Sequence, residues 1–134
     1  MEFKVLVVDD SPINRKIIAS SLTAKLSGIA IVEAADGFEA LNVLDEADIS
    51  VVLMDILMPG MDGIAALEAI KAKPRLKNIP VIMVTALSEI ELVEKALSLG
   101  ALDYLTKPLT AEQIKITLPL KVKNALEYYE QKKQ

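Results

Sequence analysis

Five polar residues of the chain occupy positions from which they could build one reactive site. Each comes directly after, or within two residues of, a short apolar run typical of a buried β-strand. If those strands run parallel, their carboxyl ends meet at one edge of a sheet, where ligands of such sheets bind. We therefore expect these side chains to converge: Asp9, Asp10, Asp55, Thr85 and Lys107.

The three carboxylates of this set predict a cation site. At about 5 Å and an effective dielectric near 20, each pair of carboxylates repels by roughly 3 kcal/mol. A divalent cation, or the fixed positive charge of Lys107, makes such a cluster tolerable. Ligands that are all oxygen favour a hard ion, Mg²⁺ before Mn²⁺ or Ca²⁺. In outline this is a metal and phosphate site.

The composition excludes several kinds of chemistry. The chain contains no Cys and no His, which rules out thiolate metal sites, a Cys nucleophile and imidazole catalysis. Its net charge is −4, with few aromatic residues and no basic cluster before the last fifteen residues. These features argue against direct binding to nucleic acid.

A cytoplasmic protein of one domain is the expected class. The chain has 134 residues, and its longest stretch without a charged residue, Asn78 to Ser88, has eleven. Such a stretch is too short to cross a bilayer. The beginning Met-Glu-Phe-Lys does not have the pattern of a signal peptide. We therefore expect no membrane partner.

Strands and helices are predicted to alternate through the chain. Helical spacing of Ile13, Ile17, Ile18 and Leu22 follows a Ser11-Pro12 start, and similar patterns follow the other apolar runs. Five strand–helix units predict a doubly wound α/β fold, with a parallel sheet and helices on both faces. The predicted strands are Phe3 to Val8, Ile29 to Val32, Val51 to Met54, Ile79 to Val84 and Ala101 to Leu105.

We divide the chain into a domain of residues 1–118 and a C-terminal helical extension over 119–134. Thr110 and Gln113 form a capping-box pattern that starts the last helix. Pro119 lies inside that helix, so we expect either a kink near Lys115 to Pro119 or a new helix that starts there. Beyond Pro119 lies a further apolar stripe. Three interpretations of this stripe stay open: it packs back on the domain, it projects and pairs with a second copy, or it leads to an output domain.

The acid pair, the DxxMP pattern that begins at Asp55, the strand-end Thr85 and the pair Lys107-Pro108 together resemble a known family. They are similar to the receiver domains of two-component response regulators, including the single-domain chemotaxis type, over the chain to about Leu118. The resemblance implies a flavodoxin-like (βα)5 fold with the sheet order 2-1-3-4-5. It also implies a phosphoryl group accepted from a histidine kinase or a histidine phosphotransfer protein, because a carboxylate can form an aspartyl phosphate.

The resemblance also implies a role for each residue of the site. Asp55 is the phosphoacceptor, Lys107 contacts a phosphoryl oxygen, Thr85 and Tyr104 form the switch, and the Lys107–Pro108 bond is cis. The implied Mg²⁺ ligands are Asp9, Asp10, Asp55 and the backbone carbonyl of Leu57. Taken singly, these residues also have ordinary structural explanations, as a helix cap for Thr85 or a strand aromatic for Tyr104.

Partners and alternatives complete the hypothesis. The phosphorylated chain is expected to bind a downstream protein or output domain through the fourth helix, fifth strand and fifth helix. A homodimer and an origin as a module of a longer protein are left open.

We expect that the chain is not an enzyme in its own right. The alternatives are a Mg²⁺-dependent phosphatase that resembles the haloacid dehalogenase superfamily and a flavin or nucleotide module. The first needs an acid at Leu57 and the second a Gly-rich loop that is absent.

Leu57 and Leu87 lie two residues after Asp55 and Thr85. In the family, side chains at these places border the phosphoryl group, and polar ones can position a hydrolytic water. Two leucines should instead exclude water, so we expect slow intrinsic dephosphorylation.

Overall fold

The computed structural model describes residues 2–133. Five strands alternate with five helices, as the apolar pattern predicted. In chain order the elements are β1 (Phe3–Val8), α1 (Pro12–Lys25), β2 (Ile29–Ala34), α2 (Gly37–Glu46), β3 (Val51–Met54), α3 (Gly63–Ala72), β4 (Val81–Ala86), a short 3-10 turn (Leu87–Glu89), α4 (Ile90–Ser98), β5 (Asp103–Lys107), a π-helical turn (Gln113–Thr117) and α5 (Leu118–Lys133).

All strand pairs in the sheet are parallel, and the order is β2-β1-β3-β4-β5. This confirms the doubly wound fold and the 2-1-3-4-5 order that the resemblance implied. Because all strands point the same way, their carboxyl ends form one edge, at which the β1–α1, β3–α3 and β5–α5 connections lie. That edge holds the predicted site.

Alternation along the strands divides the core into two layers. Leu6 and Met54 belong to the layer that α2, α3 and α4 cover. Val7 and Leu53, one residue away on the same strands, belong to the layer beneath α1 and α5. Successive side chains of a strand point to opposite faces, so a strand that is apolar throughout becomes buried on both sides. This explains why β3 and the last four residues of β1, Val5 to Val8, are apolar on both faces.

Side-chain caps fix where α1 and α3 begin. Ser11 accepts a hydrogen bond from the Asn14 N–H at the start of α1, and Asp62 accepts one from the Ala65 N–H at the start of α3. Each cap satisfies an N–H group that the helix itself leaves unpaired. On α1 only part of the predicted apolar stripe is buried, since Ile13 is 73% exposed and Ile17 is 38% exposed.

Strands β4 and β5 lie two residues later than predicted. The reason for β5 is the end of α4, where the Gly100 N–H bonds to the Leu97 carbonyl and the Ala101 N–H to the Ala96 carbonyl. This pattern, with Gly100 at a φ of 109°, is the Schellman ending of a helix. It uses the Ala101 N–H, so the residue cannot begin the strand.

Pro119 is accommodated without a gap in the last helix. The π-helical turn Gln113–Thr117 leads directly into α5, and Pro119 is buried there. In the π-helical pattern, in which a carbonyl accepts from the fifth residue on, the Ile114 carbonyl would pair with Pro119, which has no N–H. The hydroxyl of Ser21 on α1 donates to that carbonyl instead, at 2.5 Å.

The C-terminal stripe packs back on the domain. Leu118, Val122 and Ala125 are fully buried in the layer that α1 shares with α5. Tyr129, further along, packs against the other layer. At the start of this region the predicted capping box is present, since Thr110 and Gln113 exchange backbone-to-side-chain hydrogen bonds of 2.8 and 3.1 Å.

Within residues 2–133, none of the helices combines the length and the apolar character that crossing a membrane requires.

Candidate functional site

Two buried carboxylates, Asp9 and Asp55, form the floor of the site. The Asp9 N–H donates to the Ala34 carbonyl at 3.1 Å, and the Asp55 N–H donates to the Val8 carbonyl at 3.0 Å. Both acids therefore continue the hydrogen bonding of the sheet just beyond the last strand residue. Their exposures are only 2% and 7%, so the sheet holds two acids close together and away from bulk water.

Lys107 lies between these two acids. Its Nζ is 2.7 Å from Asp9 Oδ2 and 2.7 Å from Asp55 Oδ2. Partial burial alone would lower the pKa of Lys107, but the hydrogen bonds to Asp55 and Asp9 outweigh burial, so its pKa is raised above the usual value near 10.5. A charged ammonium is thus maintained between the two carboxylates, which would otherwise repel each other.

Asp10 completes a cluster suited to a metal ion. Asp9, Asp10 and Asp55 each offer a carboxylate oxygen, and these oxygens lie within 4.8 Å of one another. Asp10 is exposed while the other two are buried, so the cluster opens to solvent on one side. A set of oxygen donors with an open side fits Mg²⁺, which keeps several waters when it binds to protein.

The predicted switch residues share one face of the sheet. The Thr85 hydroxyl is buried and has no hydrogen-bond partner within residues 2–133. Tyr104 is half-buried and packs against the layer covered by α2, α3 and α4. Because a buried polar atom without a partner is costly, the Thr85 hydroxyl is available for a new acceptor at this edge.

The remaining predicted positions surround the acids. The Leu57 N–H donates to Asp55 Oδ1 at 3.3 Å, while the Leu57 side chain is 52% exposed. The Lys107–Pro108 peptide bond is cis. The side chain of Leu87, the other leucine of the slow-dephosphorylation hypothesis, lies outside what the structure describes.

Gly63, at the start of α3, is a positioning residue that the sequence analysis missed. A Cβ built on it would lie 2.2 Å from the Asp55 carbonyl oxygen, far inside any real contact. The Gly63 N–H donates to the Ile56 carbonyl at 2.7 Å, so helix and loop touch closely. The sequence held one sign of this role: a Gly, which is a poor helix former, stands directly after the cap residue Asp62.

Arg15 and Glu33 form a second feature that the sequence analysis missed. Arg15 Nη1 donates to the Asp9 carbonyl at 2.5 Å, and Arg15 Nε donates to Glu33 Oε1 at 2.9 Å. Lys16 also donates to Glu33, at 2.8 Å. Hydrogen bonds from Lys16 and Arg15 lower the pKa of Glu33 below its ordinary value near 4.5. Nothing in the local sequence pattern indicates this network, since Arg15 and Glu33 meet only through the pairing of β1 with β2.

The chain is similar to known proteins in both sequence and fold. The family described as the response regulator receiver domain matches residues 5–118. The chemotaxis protein CheY of Treponema pallidum is 42% identical over 114 residues, which cover 84% of this chain and 77% of that protein. The solved structure of the chemotaxis response regulator CheY4 of Vibrio cholerae has a TM-score of 0.81 and 31% identity, and covers 94% of this chain and 100% of that one.

A longer protein also contains this fold. The solved structure of NtrX from Brucella abortus matches with a TM-score of 0.84 and 31% identity, over 99% of this chain and 29% of that one. The chain belongs to the family of response regulator receiver domains of two-component signalling. Receiver domains of this family generally bind Mg²⁺ at an acidic pocket, and here the matching pocket is the cluster of Asp9, Asp10 and Asp55.

Proposed function

We propose that this chain accepts a phosphoryl group on Asp55 from a phosphohistidine of a histidine kinase or a histidine phosphotransfer protein. The observation that carries the proposal is the contact of Lys107 with both Asp9 and Asp55 at 2.7 Å beside the exposed Asp10. A buried carboxylate held by a lysine, with further acids beside it, is suited to attack phosphorus.

The transfer is a displacement at phosphorus. A carboxylate oxygen of Asp55 forms the new P–O bond, the P–N bond to the donor histidine breaks, and its imidazole leaves. Lys107 holds the carboxylate in place beforehand and is close enough to turn its ammonium to a phosphoryl oxygen. Mg²⁺ held by Asp9, Asp10, Asp55 and the Leu57 carbonyl would neutralise phosphoryl oxygens during transfer.

Switching follows from the unpaired Thr85 hydroxyl. Once Asp55 carries a phosphoryl group, Thr85 gains an acceptor, and Tyr104 on the same face of the sheet adjusts its packing with it. The change alters the surface of α4, β5 and α5, through which the chain binds a downstream protein or output domain. Exposed Ile90 and Leu97 on α4 support a partner at this surface.

The test is intact mass after incubation with Mg²⁺ and acetyl phosphate, beside an Asp55→Asn variant. We expect a gain of about 80 Da, the mass of one phosphoryl group, in the wild type and none in Asp55→Asn, since the amide of that variant replaces the carboxylate that attacks phosphorus. Asp45→Asn, at an exposed acid outside the site, is the matched control and should gain the same mass. A wild type that binds Mg²⁺ but gains no mass from any donor contradicts the proposal.

We propose further that the chain acts in the cytoplasm as a switch and not as an independent phosphatase. The position where a phosphatase of the haloacid dehalogenase type needs a general acid is Leu57, a half-exposed apolar side chain. Turnover of a chromogenic phosphomonoester by the wild type would contradict this proposal.

The phosphorylated form is expected to be long-lived. Leu57 places an apolar side chain beside the acceptor loop, and it offers no group to orient an attacking water. Leu57→Asn should therefore shorten the lifetime of phospho-Asp55, measured as loss of the mass shift after the donor is removed. A wild-type lifetime of seconds with Mg²⁺ present would show that the apolar side chain does not exclude water.

A further inference from the structure

Arg15 connects the outer strand β2 to the backbone that carries the acid pair. Its guanidinium donates to the Asp9 carbonyl at 2.5 Å and to Glu33 at 2.9 Å. The Arg15 side chain is only 16% exposed, and the Glu33 side chain is 27% exposed. The guanidinium is therefore largely shielded from water. One of its partners lies just after β1 and the other lies on β2.

The Asp9 carbonyl is a sensitive place for such a contact. It belongs to the peptide unit that joins Asp9 to Asp10, and a peptide unit is planar. Fixing its oxygen therefore fixes the direction in which the Asp10 residue leaves the strand. Asp9 is already held by its own side chain, which accepts from the Ser11 N–H at 2.9 Å and from Lys107. Within residues 2–133 no hydrogen bond holds the Asp10 side chain, so its position depends on the backbone.

We propose that Arg15, anchored by Glu33, is a positioning residue that sets the affinity of the Asp9–Asp10–Asp55 cluster for a divalent cation. The inference rests on the proposed function for its metal. Arg15 does not touch the carboxylates; it acts by holding the Asp9–Asp10 peptide in the orientation that brings the third oxygen donor to the other two. Partners behind metal ligands act in this way in metal sites generally, and their loss costs about 10- to 100-fold in affinity.

Lys16 provides a matched control for charge. It pairs with the same Glu33 at 2.8 Å, yet its side chain is 74% exposed, and its side-chain contact is with Glu33 and not with the acid pair. Removing Lys16 takes away one positive charge from this network and leaves the Asp9 carbonyl contact intact. Removing Arg15 takes away the same charge together with that contact.

The experiment titrates Mg²⁺ into the unphosphorylated protein by calorimetry, with the variants Arg15→Gln and Lys16→Gln. We expect the dissociation constant to rise about 10-fold or more for Arg15→Gln, and to stay within about twofold of the wild type for Lys16→Gln. Glu33→Gln, which keeps Arg15 but loosens its anchor, should lie between them. Equal constants for Arg15→Gln and Lys16→Gln would overturn the inference.

A second readout separates positioning from a general loss of structure. With acetyl phosphate as donor, Arg15→Gln should raise the Mg²⁺ concentration for half-maximal phosphorylation and reach nearly the wild-type rate at saturating Mg²⁺. A variant that is merely unfolded in part would show a lower phosphorylation rate at every Mg²⁺ concentration, saturating Mg²⁺ included. That result would also overturn the inference. A wild type that binds no Mg²⁺ would overturn the proposed metal site itself, and the two failures are therefore distinguishable.

Discussion

At the scale of single residues, the site depends on one lysine that compensates two buried acids. Asp9 and Asp55 are almost fully buried, and Lys107 contacts both at 2.7 Å. Removing one member of a buried ionic group leaves the others uncompensated, which costs more than the group itself contributes. Lys107 therefore stabilises this edge of the sheet, in addition to the contact with a phosphoryl group that we propose for it.

Lys107→Met should lower the free energy of unfolding by roughly 2 to 3 kcal/mol without Mg²⁺, less than for a fully buried pair because Lys107 retains some contact with water. Added Mg²⁺ should recover stability more in this variant than in the wild type, since the ammonium no longer competes for the carboxylates. Urea titration with and without Mg²⁺ measures both effects. Lys121→Met removes the more exposed pair with Asp103 and should cost below about 1 kcal/mol. Similar losses for the two variants would contradict this explanation.

Gly63 gives a prediction in which two physical effects have opposite signs. Helix propensity alone predicts that Gly63→Ala stabilises the chain by about 0.5 to 1 kcal/mol. The added Cβ, however, would lie 2.2 Å from the Asp55 carbonyl oxygen, so the loop must move. We expect a net destabilisation and slower phosphorylation, measured by urea unfolding and by mass shift with acetyl phosphate. An increase in stability would show that the loop moves at little cost.

At the scale of elements, the start of α5 is held by a contact from a different helix. The π-helical turn before Pro119 leaves the Ile114 carbonyl without its helical donor, and the buried Ser21 hydroxyl supplies the missing hydrogen. Proline inside a helix normally breaks or kinks it. Here α1 compensates for the missing donor, so the orientation of α5 depends on α1.

Ser21→Ala should destabilise the chain by about 1 to 3 kcal/mol, because it leaves a buried carbonyl unpaired. In the background of Pro119→Ala the same change should cost less, since residue 119 then carries its own N–H. A double-mutant cycle by urea unfolding measures the coupling of the two sites. Ser20→Ala, at the exposed neighbouring position, is the control and should be near neutral. Equal costs of Ser21→Ala in both backgrounds would disprove the role assigned to the hydroxyl.

The elements also show why some features were predictable and others were not. The helix start at Ser11 and the capping box of Thr110 and Gln113 were predictable because each depends on residues three apart. The contact of Ser21 with Ile114 joins residues 93 apart and follows from no local pattern. The edge of the sheet that holds the site was predictable from the apolar runs alone. The exposure of Ile13 and Ile17 was not, because it depends on how α1 lies on the sheet.

At the scale of the whole molecule, the sheet separates the chemistry from its supports. The acids and Lys107 occupy one edge, the two core layers lie on the two faces, and Glu33 on the outer strand β2 holds the cations of α1. The network of Glu33 with Arg15 and Lys16 therefore ties α1 to the sheet edge. Its strength depends on the ionisation of Glu33, which makes the tie sensitive to acid.

The sign of that sensitivity follows from the lowered pKa of Glu33. The unfolded chain takes up the proton near the ordinary value of 4.5, while the folded chain keeps the carboxylate ionised to lower pH. The stabilisation is therefore fully present above about pH 4.5 and is lost as pH falls through the folded pKa. Glu33→Gln should be less stable than the wild type at pH 7, and the difference should shrink as the pH falls towards 3. Urea unfolding between pH 7 and pH 3 in low salt measures it, with Glu68→Gln on the exposed face of α3 as a control that should follow the wild type. A constant difference between Glu33→Gln and the wild type across this range would mean that Glu33 contributes through packing and not through its charge.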